Sequence, residues 1–96
     1  MQQSAFSEQL AIMHACLKTQ LIDRAEKILE RLEKNGAPEM RKALDIRVYN
    51  AFLEAFFEEP GTPNYRKVVN FFQYLNDANI TPDLSTYGLI TKIFLR

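Results

Sequence analysis

The chain has a single cysteine, Cys16, among its 96 residues, which excludes an internal disulfide and any thiolate metal cluster. That usage fits a reducing compartment. Net charge is also missing, because twelve basic and twelve acidic residues cancel. Affinity for nucleic acid that is independent of sequence comes from Lys and Arg neutralising phosphates, so this balance leaves room only for a local basic patch. No apolar run approaches the roughly 18 residues of a membrane span, so no membrane partner is expected. The opening Met1-Gln-Gln-Ser-Ala lacks both the basic–apolar–small order of a signal peptide and the Arg-rich pattern of an organelle presequence. His14 is the only histidine; with no paired nucleophile near it in sequence, it reads as a surface or groove-edge residue rather than a catalytic base.

What is present is a folded composition, 47% hydrophobic and 25% charged. It carries an internal echo: Asp45 and Tyr49 recur as Asp83 and Tyr87 with one common offset. A fixed period of this length marks stacked supersecondary units. The spacing predicts an all-α chain, a helix–turn–helix repeat array of about five helices. The first runs from about Phe6 to Leu17, with Ile12, Met13, Cys16 and Leu17 on one stripe. The second, Ile22 to Asn35, places Ala25, Ile28, Leu29 and Leu32 at i, i+3, i+4, i+7. Its charged face, including Glu30 and Lys34, reads as solvated surface. Asn35-Gly36 is expected to end it in the left-handed conformation, with Pro38 blocking continuation. A third helix, from near Ile46 to Glu58, buries Tyr49, Phe52, Leu53, Phe56 and Phe57. After the Glu59–Pro63 break, a fourth from about Asn64 to Ala78 aligns Val68, Phe71, Phe72 and Leu75. Thr81-Pro82-Asp83 opens a fifth, with Tyr87, Ile90 and Phe94 inward.

The expected organisation is one repeat domain over 1–96, with units at about 6–45 and 46–83 and the first helix of a third at 84–96. The chain stops inside an apolar helix pattern and is expected to be a piece of a longer protein. Ile93, Phe94 and Leu95 should then be exposed and could support self-association through that fifth helix.

Val48-Tyr49-Asn50-Ala51-Phe52-Leu53, followed by Asn79-Ile80-Thr81-Pro82-Asp83, resembles a pentatricopeptide repeat, whose unit opens near Thr-Tyr-Asn-x-Leu-Ile and closes on Gly-Ile-x-Pro-Asp. The Trp/Leu-Gly/Tyr pattern of tetratricopeptide units is absent. The likeness is strongest over Ile46–Asp83 and weakest over Phe6–Asp45. Both units are longer than the family's usual length, and Gly88 stands where the next unit would carry Asn. A Tyr-Asn-Ala first helix with a Thr-Pro-Asp-Leu link is similar, more narrowly, to the N-terminal extension of single-subunit mitochondrial DNA-directed RNA polymerases. None of the polymerase catalytic machinery falls in this stretch. Matrix localisation in mitochondria is implied by that resemblance alone.

The resemblance implies a groove lined by the first helix of each unit, where single RNA bases are read by a few side chains. The reader pair carries over to Asn50 and Asp83, with a preference for uracil. Asp83 is equally placed to be a helix N-cap. Helical spacing adds Lys18, Arg47, Lys92 and Arg96 as phosphate contacts, opposed by Glu54 and Glu58. Weak, salt-sensitive contact with single-stranded RNA is expected, with no cofactor and no metal. Two other readings stand beside it. One is a protein–protein scaffold positioning polymerase domains or accessory transcription proteins. The other is a carboxylate-metal ribonuclease built on Glu54, Glu58, Glu59 and Asp83.

Overall fold

The computed structural model describes residues 3–96, the side chain of Gln3 apart. It is helical throughout, with no β-strand among the described residues. Six helices are present there: α1 (Gln3–Lys18), α2 (Ile22–Asn35), α3 (Pro38–Arg41), α4 (Ile46–Glu58), α5 (Tyr65–Asp77) and α6 (Leu84–Leu95). They fall into two compact units, Met1–Leu44 and Asp45–Arg96.

In the first unit α1 packs along α2. The buried stripe of α2 is Ile22, Ala25, Ile28, Leu29 and Leu32, the i, i+3, i+4 pattern read from the sequence. Asp23 in its first turn and Lys34 in its last complement the helix dipole. On α1 the buried residues are Phe6, Met13, Cys16 and Leu17, whereas Ile12 is 40% exposed. Ile12 lies one position, about 100° of helix rotation, from Met13 and so misses the seam. The turn after α1 is a Schellman motif. Gln20 takes φ 62°, Leu21 N–H donates to Cys16 O at 2.8 Å and Gln20 N–H to Leu17 O at 3.2 Å.

The end of α2 differs from the left-handed cap expected there. Gly36 is extended, with φ −75° and ψ 142°, a conformation open to any residue. Its glycine is required by space. A Cβ would lie 2.8 Å from both Leu32 O and the Phe6 ring, and 3.2 Å from Arg41 Cγ. Pro38 does more than block α2, since its fixed φ starts the single turn of α3. Arg41, at the end of that turn, donates back to Glu33 O at 3.2 Å.

In the second unit α4 meets α5 through aromatic rings. Phe71 lies within 5.5–5.6 Å of Tyr49, Phe52 and Phe56, centroid to centroid. Tyr49, Phe52, Leu53, Val68 and Leu75 are buried, while Phe57, Phe71 and Phe72 are half-buried. The turn after α5 repeats the Schellman geometry, with Asn79 at φ 59° and Ile80 N–H donating to Leu75 O at 2.9 Å.

Helix α6 packs chiefly along α4, and its inward face is not the one expected. Thr86 and Ile93 are buried; Tyr87 is 52% and Phe94 47% exposed, and Ile90 is half-buried. The helix is turned by one residue relative to the reading from apolar spacing. Tyr87 and Phe94 lie instead against the α5 side chains Phe72 and Tyr65, at 6.1 and 5.3 Å. Ile93 is therefore core and not part of an exposed end, whereas Leu95 is 81% exposed.

Candidate nucleic-acid interface

The rotation of α6 is set by polar groups at its start. Asp83 is the N-cap: its carboxylate accepts from the Thr86 N–H at 2.9 Å, while Asp83 N–H donates to Thr86 Oγ1 at 3.1 Å. This reciprocal pair is a capping box. It turns Thr86 toward α4, where its hydroxyl donates to Asn50 Oδ1 at 2.6 Å. Asn50 Nδ2 in turn donates to Asp83 Oδ1 at 3.0 Å. The structure thus brings Asn50 and Asp83 into direct contact, and Asp83 serves both as cap and as partner of Asn50. Hydrogen bonds from the Asn50 amide, then from the Thr86 backbone N–H, hold the Asp83 carboxyl below the usual carboxylate range.

These groups open onto a cleft of about 490 Å³ between α4 and α6, lined by Arg47, Asn50, Glu54, Asp83, Gly88 and Lys92, with Ala51, Ser85 and Leu89 between them. Two cations, Arg47 and Lys92, and two carboxylates, Glu54 and Asp83, line it. Arg47 is already engaged, its guanidinium gripping Asp45 at 2.6 and 3.1 Å, and this pairing lowers the Asp45 pKa and raises that of Arg47. Lys92 lines the cleft with an exposed side chain. A Cβ at Gly88 would meet nothing within 4 Å, so the cleft has open space where the sequence lacks an Asn.

Arg96 and Lys18 do not line this cleft. Arg96 donates to Phe57 O at 2.7 Å, its guanidinium 6.0 Å from the Phe57 ring centroid, so it caps the end of α4. Lys18 is the exposed last residue of α1 in the first unit. Cys16 is buried and His14 half-buried, both on α1. The proposed carboxylate set is not assembled: among the described residues no three of His, Cys, Asp and Glu converge as metal ligands. Glu58 and Glu59 do not line the cleft. The carboxylate-metal ribonuclease reading therefore has no ligand set to stand on.

Thr86 is the residue that apolar periodicity overlooks. The available signal was its position three after Asp83, the spacing of a capping box.

Short helices joined by tight turns, with a cleft edged by a polar N-cap network in the second unit, define a helical-repeat module. The family model described as "RPO41-like, TPR repeats" matches residues 3–95, nearly the whole chain, and the chain belongs to that family. It is a helical-repeat region like that at the N-terminus of a mitochondrial RNA polymerase. The family's description carries the tetratricopeptide label, although the Tyr49-Asn50 and Thr81-Pro82-Asp83 segments read closer to the pentatricopeptide pattern. No curated protein and no solved structure matches the chain.

Proposed function

We propose that the Asp45–Arg96 unit contacts single-stranded RNA in its α4–α6 cleft, with one base resting against Asn50. The observation that carries this reading is the Asn50–Asp83 hydrogen bond at the cleft wall. Together with the Thr86 hydroxyl on Oδ1, it leaves Asn50 one amide N–H to donate and one lone pair on Oδ1 to accept. A pyrimidine edge that pairs a carbonyl with a ring N–H, as uracil does, complements that donor and acceptor. Arg47 and Lys92 would meet the flanking phosphates, and Glu54 works against them. Contact is weak, because one such site on a neutral surface contributes little. On this reading the segment would touch nascent transcript as part of a polymerase in the mitochondrial matrix.

The test is binding of U-rich and A-rich oligoribonucleotides at two salt concentrations, for the chain and for Asn50→Ala. Preference for the U-rich strand that disappears in the variant supports the reading. Equal binding of both strands by the unmodified chain removes it.

A second reading is favoured by the apolar surface of α6, where Leu84 is 90%, Leu95 81% and Phe94 47% exposed. On that reading the module docks protein, namely other polymerase domains, accessory transcription proteins or a second copy of itself.

A further inference from the structure

The Asn50 amide sits between two groups that dictate which of its ends faces which. Rotation about the terminal bond of an asparagine side chain is broad and nearly two-fold unless partners hold it. The Asp83 carboxylate can only accept, so it takes the NH2 end, at 3.0 Å. The hydroxyl of Thr86 accepts from the Asp83 N–H at 3.1 Å and has a single proton to give. Two oxygens lie within reach, Asn50 Oδ1 at 2.6 Å and Asp83 Oδ1 at 2.9 Å. Asp83 Oδ1 already accepts from the Thr86 N–H and from Asn50, and the shorter separation favours Asn50. Thr86 itself is fully buried, so water does not compete for that proton.

We infer that Thr86 is a positioning residue for base selection: its buried hydroxyl locks the amide of Asn50 so that one fixed donor and one fixed acceptor face the cleft. This rests on the base-contact reading of Asn50 given above. With the hydroxyl gone, Asn50 keeps its bond to Asp83 but loses the restraint on its oxygen, and its discrimination between bases falls with that lost preorganisation. A restraint equal to one ordinary hydrogen bond corresponds to about fivefold in selectivity.

The experiment compares the unmodified chain with Thr86→Val, Thr86→Ser and Asn50→Ala. It reads the ratio of affinities for oligouridine and oligoadenosine, and by NMR relaxation the mobility of the Asn50 side-chain amide against that of exposed Asn70. The expected result is a rigid amide at Asn50 in the unmodified chain. Thr86→Val should raise that mobility and reduce the selectivity ratio about fivefold, and Thr86→Ser should restore both. If Asn50→Ala abolishes selectivity while a folded Thr86→Val retains it, the positioning role is overturned and base contact stands. If the unmodified chain shows no uridine preference, both fall together. If Thr86→Val does not fold, mobility in the unmodified chain decides: an Asn50 amide as mobile as that of Asn70 overturns the lock, and a rigid one that Thr86→Ser preserves supports it.

Discussion

Gly36 and Phe6 are packed so closely that any side-chain carbon on Gly36 would sit 2.8 Å from the ring. The contact joins the end of α2 to the first turns of α1, with Leu32 O equally near on the other side. Because the backbone at Gly36 is extended, alanine meets no conformational strain there, and its cost is purely steric. Gly36→Ala should destabilise the chain by about 1–3 kcal/mol, the usual cost of overpacking. Gly88→Ala is the counterpart: it lies mid-helix in α6 with open space around it and should stabilise by about 0.5–1 kcal/mol through helix propensity. Urea unfolding midpoints of the two variants should move in opposite directions. A shared direction would mean that space is not what distinguishes them.

The aromatic core of the second unit centres on Phe52, fully buried with Phe56 and Phe71 at 6.4 and 5.5 Å. Phe52→Ala should cost about 3–5 kcal/mol. Phe72 lies on the same kind of sequence stripe yet is only half-buried, and Phe72→Ala should cost clearly less. Glu30→Ala removes one exposed pair with Lys34 at 3.1 Å and should fall within about 0.5 kcal/mol of the unmodified chain. Chemical denaturation of the three variants checks the order; Phe72 equal to Phe52 would contradict the observed burial.

Acid sensitivity follows from the Asp83 network. A carboxyl whose pKa in the fold lies below its unfolded value stabilises the fold fully above the ordinary carboxylate value of about 3.9, and loses that contribution as pH falls through the depressed folded value. Asp83 and Asp45 are both lowered, the first chiefly by Asn50 and the second chiefly by Arg47. Asp83→Asn keeps a competent N-cap acceptor but does not titrate. Its melting temperature should therefore fall less steeply below pH 4 than that of the unmodified chain. Parallel curves would show that the network does not couple to folding.

If RNA enters the cleft, at most two cations line it, Arg47 and Lys92. The logarithm of affinity should then fall with the logarithm of salt concentration with a slope no steeper than about −1.4. Glu54→Gln should raise affinity at low salt by removing a facing carboxylate, whereas Arg96→Ala should leave it unchanged, since that guanidinium caps the end of α4. A much steeper slope would place the main phosphate contacts elsewhere on the chain.

Self-association, if it occurs, uses the outer side of α6. Leu95→Glu together with Leu84→Glu places charge at its two most exposed apolar positions and should shift concentrated samples toward monomer in sedimentation. A sample that is monomeric before the change would end that proposal.

The amino-acid order was enough to fix five of the six helices and their type; the single turn of α3 was not among those expected. The stripes of α2 and α4 follow from 3.6-residue periodicity bounded by Asn35-Gly36-Ala37-Pro38 and Glu59-Pro60, signals local to the chain. The partnership of Asn50 and Asp83 was legible only through the resemblance to pentatricopeptide repeats, yet the two side chains do meet. Tertiary structure alone decided how α6 is rotated. Tyr49 and Tyr87 hold matching places in the repeat, but Tyr49 is 1% exposed and Tyr87 is 52% exposed. Apolar spacing ranks positions by hydrophobicity, and so it had no means of ranking a threonine above a tyrosine for the inward face. That choice was made by hydrogen bonds among Asp83, Thr86 and Asn50, which bring together residues as far as 36 positions apart. The room around Gly36 was settled the same way, by where the ring of Phe6 comes to rest once α1 lies on α2.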